Sequence, residues 1–239
     1  MLKNLLTAVI LVIFAVLIIN AIDHIPSPGE RKTFSEATNS ITAMGETETG
    51  ARNLVTAVLF DYRSFDTLGE TTVIYAAVAG VVMMFTTGKK LKLSFDELSF
   101  IAKQSIGLVI AFIFLVGFYT ILHGHLTPGG GFQGGVVWAS SMILTAIVYG
   151  IAFERNIISP SFKVVLESLG ALSLISIPAI GLLLGKPYFT NLAAGFPRGE
   201  FGEIFSAGFI PLLNIAVGIK IGAGLAMIFY SMAKEEVEE

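Results

Sequence analysis

Residues 123–140 read "HGHLTPGGGFQGGVVWAS" and lie between two long apolar runs. Gly129, Gly131 and Gly134 satisfy the spacing G-x-G-x-x-G, which raises the question of a dinucleotide loop. Such a loop needs a short strand before it and the helix of an α/β unit after it. Here the run on either side is long enough to be a membrane span. A P-loop fails as well, because no Lys-Ser/Thr pair follows the last glycine. His123 and His125 suggest zinc, but a metal site needs three or four ligands in fixed geometry, and the loop supplies neither thiolate nor carboxylate. The remaining reading is a tight re-entry between two helices. Pro128 stops the first helix, and the glycines allow positive φ and close backbone approach. Gly130 with Gly134, and Gly131 with Gly135, place small residues one turn apart at the start of the second helix, where a neighbour can pack closely. Trp138 is expected in an interfacial aromatic belt. The loop is read as structural first, with histidines placed to touch protons at the membrane surface.

Composition agrees with a membrane turn. The 239 residues are 54% hydrophobic and only 14% charged, and several runs approach the ~20 apolar residues that cross a ~30 Å hydrocarbon layer. The runs are continuous rather than alternating, which excludes a spanning barrel. The expected fold class is all-α, a polytopic membrane protein with about six transmembrane helices. The spans are read as Leu5–Ile22, Thr71–Phe85, Ile101–Leu122, Gly135–Ala152, Val164–Leu184 and Ala207–Tyr230, the second being short. The first apolar run, Asn4–Ala21, follows Lys3. Its length and weak small-residue cleavage pattern predict a retained anchor rather than a signal peptide. A net charge of −3 points to no nucleic-acid partner, and the absence of cysteine excludes disulfides, thiolate metal sites and iron–sulfur clusters. No cofactor or metal is expected.

Charge distribution orients the chain. "TTGKKLKLSFDE" (86–97) concentrates Lys89, Lys90 and Lys92, with Lys103 just beyond, which puts this loop on the cytoplasmic side. Arg155 and Lys163 are read as loop charges on that same side, and the histidine–glycine loop, free of Lys and Arg, as external. Both termini are then cytoplasmic, with "KEEVEE" as a solvated tail. The polar stretch 23–51 is external, although its Arg31 and Lys32, with Arg52 and Arg63 beyond, dilute the bias. A composition break near 88–100 divides the chain into residues 1–97, with two spans and an amphipathic helix showing Leu54, Val58 and Phe65 on one face, and residues 98–239, with four spans.

Two groups of charges stand out. Lys220 lies near the middle of the last span, where a lysine costs about 2.5–3.5 kcal/mol on insertion scales. Too far from either interface to snorkel, it must meet a carboxylate, a backbone carbonyl or a hydrated cavity. Asn214, Gly218 and Gly222 repeat every four residues on one face and Gly224 lies beside Lys220, so the helix is expected inside a bundle. Lys220 is read either as part of an ion path or as a permanent salt bridge, and Glu167, several residues into the fifth span, is a possible partner. The second group is Asp61, Arg63, Asp66 and Glu70. Asp66 and Glu70 are i, i+4 neighbours and Arg63 reaches Asp66 at i, i+3. Two carboxylates on one face raise each other's pKa, which suits a proton carrier; an interfacial salt-bridge cluster is the alternative. Glu154 and Arg155 read as ordinary flank charges.

The motif "HGHLTPGGGFQGGVV" resembles the signature of the B subunit of multisubunit Mrp-type (Mnh-type) cation/proton antiporters. "NIAVGIKIGAGLAMIF" (214–229) is similar to that subunit's last helix, the resemblance covering about 103–231. "GARNLVTAVLFDYRSFDTLGETTVIYAAVAGV" (50–81) looks like the C-terminal end of the antiporter A subunit and the short separate subunit carrying that segment in membrane-bound hydrogenases. The resemblance implies a fusion of two neighbouring pieces of one complex, as in respiratory complexes of the hydrogenase and sulfane-reductase type. It implies an integral, non-catalytic membrane subunit that helps form the Na⁺ and H⁺ route. Its partners would be other hydrophobic subunits and lipid, with a hydrogenase or reductase arm held through them. A scaffold without ion handling, a subunit of a free-standing antiporter and a standalone transporter are the alternatives; the last lacks the paired broken-helix halves of such proteins.

Overall fold

A computed structural model describes residues 9, 12–13, 15–16, 19–20, 34–87, 91–93, 98–200 and 202–235. The span expected at Leu5–Ile22 lies outside the described residues except at those first seven positions, all helical. So do Arg31, Lys32, Lys89, Lys90 and most of the expected C-terminal tail. The chain forms two compact units, Met1–Ile41 and Thr42–Glu239; everything below concerns the second.

In order, its elements are α1 (Phe34–Thr49, which begins before the unit boundary), α2 (Leu54–Ala57, running on as a π-helical turn over Val58–Tyr62), α3 (Ser64–Thr87) and β1 (Leu91–Leu93). Then come α4 (Phe100–Leu122), α5 (Gly131–Tyr149), α6 (Ile151–Ile157), α7 (Pro160–Leu183), α8 (Ile210–Met232) and β2 (Ala233–Glu235). Five helices are long and apolar enough to cross a membrane: Ser64–Phe85 within α3, and α4, α5, α7 and α8. This is an all-α, multi-pass membrane protein. β1 and β2 add one short parallel pairing, Leu91 opposite Ala233. That pairing puts the loop after α3 and the segment after α8 on one side of the bundle.

Local chemistry sets the helix ends. Ser99 and Ser159 cap α4 and α7 by accepting the backbone N–H of Ala102 and Phe162, and Pro160 occupies the first turn of α7, where its missing N–H is harmless. Gly150, at φ +93°, ends α5 and starts α6. The expected fourth span through Ala152 therefore stops at Tyr149. The expected second span is not short: α3 begins at Ser64, carrying Asp66 and Glu70 within its first turns. The face predicted for the preceding segment is also revised. Phe65 is exposed, while Ala57, Phe60, Ser64 and Thr67 are buried, because the π turn and the break at Arg63 rotate the face between α2 and α3.

The hub is α8. Of its membrane-length window 61% is buried, against 11% for α3 and α4, and α3, α5 and α7 pack around it. Glycines let these helices touch backbone to backbone. A Cβ at Gly135 would stand 2.8 Å from the Gly218 carbonyl oxygen, and one at Gly134 would stand 2.8 Å from the Gly117 carbonyl on α4. Gly80 of α3 has open space around it. Gly135→Ala should therefore lower the melting temperature of the purified chain in detergent, an overpacking penalty of about 1–3 kcal/mol. Gly80→Ala should leave it level or raise it, since alanine is the better helix former by up to about 1 kcal/mol.

Candidate functional site

Lys220 sits at the centre of the hub, 1% exposed. Its backbone and Cβ press against Gly170 of α7, where an added Cβ would stand 2.8 Å from the Lys220 Cβ. Glu167, one turn before Gly170, is 4% exposed and packs over Gly224, whose missing side chain leaves the carboxylate room. The glycine on each helix thus makes space for the charged side chain of the other. Lys220 and Glu167 attract each other through space, yet neither the Lys220 amine nor Glu167 Oε1 has a hydrogen-bond partner among the described residues. The amine lies 5.6 Å from the centroid of the Tyr75 ring. A mostly apolar cavity of about 220 Å³ between α3 and α7 reaches Lys220, lined also by Leu68, Thr71, Thr72, Tyr75 and Leu174, the two threonine hydroxyls donating to the Leu68 carbonyl.

A second buried pair lies lower on the same face of α7. Lys163 Nζ donates to Glu154 Oε2 at 2.9 Å, with side chains 1% and 2% exposed, and stands 3.6 Å from the centroid of the Tyr230 ring. Glu154 is therefore not a flank charge, and Lys163 is not a loop charge: both are buried inside the bundle and paired with each other. The missed signal was periodicity. Lys163, Glu167, Gly170, Leu174, Pro178 and Gly181 recur at helical spacing, and all are buried on α7.

The acidic constellation around α3 divides. Arg63 and Asp66 form an ion pair, both largely exposed. They line an open groove of about 730 Å³ with Gly69, Glu70, Val73, Ile74 and Phe132. Asp61 turns elsewhere: its Oδ2 accepts from Asn191 Nδ2 at 3.3 Å, in the loop before α8. Burial holds the Asp61 carboxyl above its usual range. Nearby, the Tyr62 hydroxyl donates to Glu48 at 2.5 Å. The groove holding Asp66 and Glu70 and the cavity at Lys220 have no lining residue in common.

The glycine loop is gripped from two directions. Asn53 Nδ2 donates to the carbonyls of Gly124, Thr127 and Gly129, and the Thr56 hydroxyl donates to Gly124. From α8, Asn214 Oδ1 accepts the Gly131 N–H at 2.9 Å. Gly129 and Gly130 adopt φ +153° and +151°, which glycine reaches freely. Pro128 is exposed at the tip. Further along α8, Gly218 lies under Ile121 of α4 and Gly222 under the ring of Trp138. Trp138 is thus half-buried against α8 and Phe114, and its indole N–H is buried without a partner among the described residues. His123 stacks on Tyr119 with ring centroids 4.2 Å apart. His125 is fully buried, its Nε2 facing the Glu203 carbonyl at 3.3 Å. Burial, with a smaller push from His123, holds its pKa below the ordinary value.

Residues 101–227 match a family model described as a domain related to the MnhB subunit of a Na⁺/H⁺ antiporter. The chain belongs to this MnhB-related family. Residues 29–105 match a second model, described as the E subunit of MBH. The chain is 35% identical over 212 residues to an uncharacterised protein of Methanocaldococcus jannaschii, covering 77% of this chain and 78% of that one. It is 31% identical over 96 residues to the B subunit of the Na⁺/H⁺ antiporter of Bacillus subtilis, covering 40% and 66% respectively. Among solved structures, a chain of an archaeal respiratory membrane complex, the membrane-bound sulfane sulfur reductase, superposes with a TM-score of 0.72 at 33% identity, over 99% of this chain and 100% of that one. A chain of the Mrp complex from Dietzia sp. shares the fold at TM-score 0.64 and 19% identity, over 96% of this chain and 26% of that one. The loop gripped by Asn53 and Thr56 thus lies in the MnhB-related part, and the two residues gripping it lie in the part that matches the MBH model.

Two outcomes follow for this MnhB-related loop. Asn53→Ala removes three loop hydrogen bonds and the cap of α2, so amide hydrogen exchange over residues 124–131 should accelerate about 10-fold or more, at roughly 1 kcal/mol per lost net bond. Burial depresses the His125 pKa, so below the ordinary value of 6.5 the unfolded chain binds more protons than the folded one. Its contribution is therefore fully present above pH 6.5 and is lost as pH falls through and below that value. The melting temperature should drop between about pH 7.5 and about pH 5.5, and His125→Asn should flatten that drop.

Proposed function

We propose that this chain is an integral membrane subunit of an Mrp-type cation/proton antiporter module, and that Lys220 and Glu167 belong to its ion path. The carrying observation is a buried opposite-charge pair that forms no hydrogen bond between its members, with Lys220 also lining a small cavity against α3. An amine bonded directly to its carboxylate is less free to respond to a neighbour. Two charges held apart in a low-dielectric interior instead respond strongly to any ion or proton that enters beside them. Asp66 and Glu70 supply carboxylates at a separate outer groove, where protons or Na⁺ meet the bundle.

The partners in this reading are the other hydrophobic subunits of the module, and the chain itself is not catalytic. The 33% identity over essentially the whole of both chains favours a respiratory complex of the sulfane-reductase type over a free-standing antiporter. The join near residue 98 is then a fusion of two neighbouring pieces. The face bearing β1 and β2 is assigned to the cytoplasm, with Lys103 and Arg155 near it and the glycine loop on the opposite side.

In everted membrane vesicles carrying the whole complex, Lys220→Met should cut Na⁺-dependent proton movement, followed with a pH-sensitive dye, by about 10-fold or more while the complex still assembles. Glu167→Gln should do the same. Full exchange by assembled Lys220→Met complex would leave a scaffold subunit as the correct reading.

A further inference from the structure

We propose that Glu154 and Lys163 extend the Lys220–Glu167 pair into a four-residue ladder of alternating charge, which passes protons between the β1/β2 face and the cavity beside Tyr75. This rests on the ion-path reading above and adds to it a proton entry on α6 and α7.

The placement follows from two antiparallel helices. On α7, Lys163 and Glu167 are i, i+4 neighbours, about 6 Å apart along the axis, and both are buried on the face that meets α8. On α8, Tyr230 lies beside Lys163, Gly224 beside Glu167 and Lys220 beside Gly170 of α7. From the β1/β2 side inward the order is Glu154, Lys163, Glu167, Lys220: negative, positive, negative, positive. The cavity lined by Thr71, Thr72 and Tyr75 begins where the ladder ends.

Four side-chain atoms along this line are buried with no short hydrogen bond among the described residues: Glu154 Oε1, the Tyr230 hydroxyl, Glu167 Oε1 and Lys220 Nζ. Here one Glu154 oxygen holds Lys163, and the Tyr230 hydroxyl stands close enough to the same carboxylate to share its hydrogen bonding, while Glu167 Oε1 and Lys220 Nζ inward keep unused capacity. Unpaired buried atoms are expensive and uncommon, and a run of them where α6, α7 and α8 meet marks positions suited to exchange protons with intervening water. At rest the ladder is neutral overall. A proton arriving on Glu154 frees Lys163 to attract Glu167, which loosens the hold of Glu167 on Lys220, and the Lys220 ammonium releases one proton to the cavity. Onward transfer from Glu154 to Glu167 and then to the Lys220 amine restores the resting charges, so one proton enters and one leaves.

The test uses the complete complex in vesicles, with Lys220→Met as reference. Glu154→Met combined with Lys163→Met removes both charges and keeps apolar volume, a replacement that buried ion pairs commonly tolerate. Assembled complex with this double change should lose Na⁺-dependent proton movement by about 10-fold or more. Unchanged exchange would overturn the ladder and make the pair a packing lock, with the Lys220 reading intact provided Lys220→Met still abolishes exchange. Should the double variant not assemble, Glu154→Gln decides. It preserves the hydrogen bond to Lys163 but takes no proton, so exchange should fall by a similar factor; wild-type exchange would overturn the ladder. Full exchange by Lys220→Met would instead sink the underlying reading, whatever the Glu154 variants do.

Discussion

An ammonium group in the middle of an apolar helix is the constraint around which this bundle is organised. Lys220 is almost wholly buried, and hydrocarbon offers it nothing, so the protein must surround it. It does so by making α8 the hub and thinning its surface to glycine and alanine where α5 and α7 approach. Gly218, Gly222 and Gly224 on α8 and Gly170 on α7 let backbones come within reach of one another. The side chains that fill the resulting notches are Ile121, Trp138, Glu167 and Lys220 itself. Close packing and buried charge are therefore one design: the notch at Gly224 gives the Glu167 carboxylate its place, and without Glu167 the lysine loses its counter-charge.

The glycine loop meets a different demand. Between α4 and α5 the chain turns sharply, and its carbonyls need donors away from bulk water. Asn53 and Thr56 supply four such donations to Gly124, Thr127 and Gly129, while Asn214 takes the first N–H of α5. The donors come from the segment matching the MBH model and the acceptors from the MnhB-related segment. The polar clasp thus joins the two family segments inside one compact unit. It also explains why so many glycines suit the loop without any phosphate to bind: the backbone itself is the ligand.

Length and continuity of the apolar runs, with few charges, were enough to establish an all-helical membrane protein, because a span must satisfy its backbone internally whatever its neighbours are. The same reasoning identified Lys220 as anomalous, since its misfit depends only on depth along one helix. Periodicity along α7 held the evidence for Lys163 as well, but Lys163 and Glu154 both lie near a helix end, where charges are usually solvated. Which carboxylate faces Lys220, that Glu154 and Lys163 are paired with each other, that Asp61 parts from Asp66 and Glu70, and that Trp138 packs against α8 were settled only by how separate helices meet. Hydropathy is a property of one helix; pairing of charges across helices depends on rotation and register, and those are fixed by glycine contacts far apart in the chain.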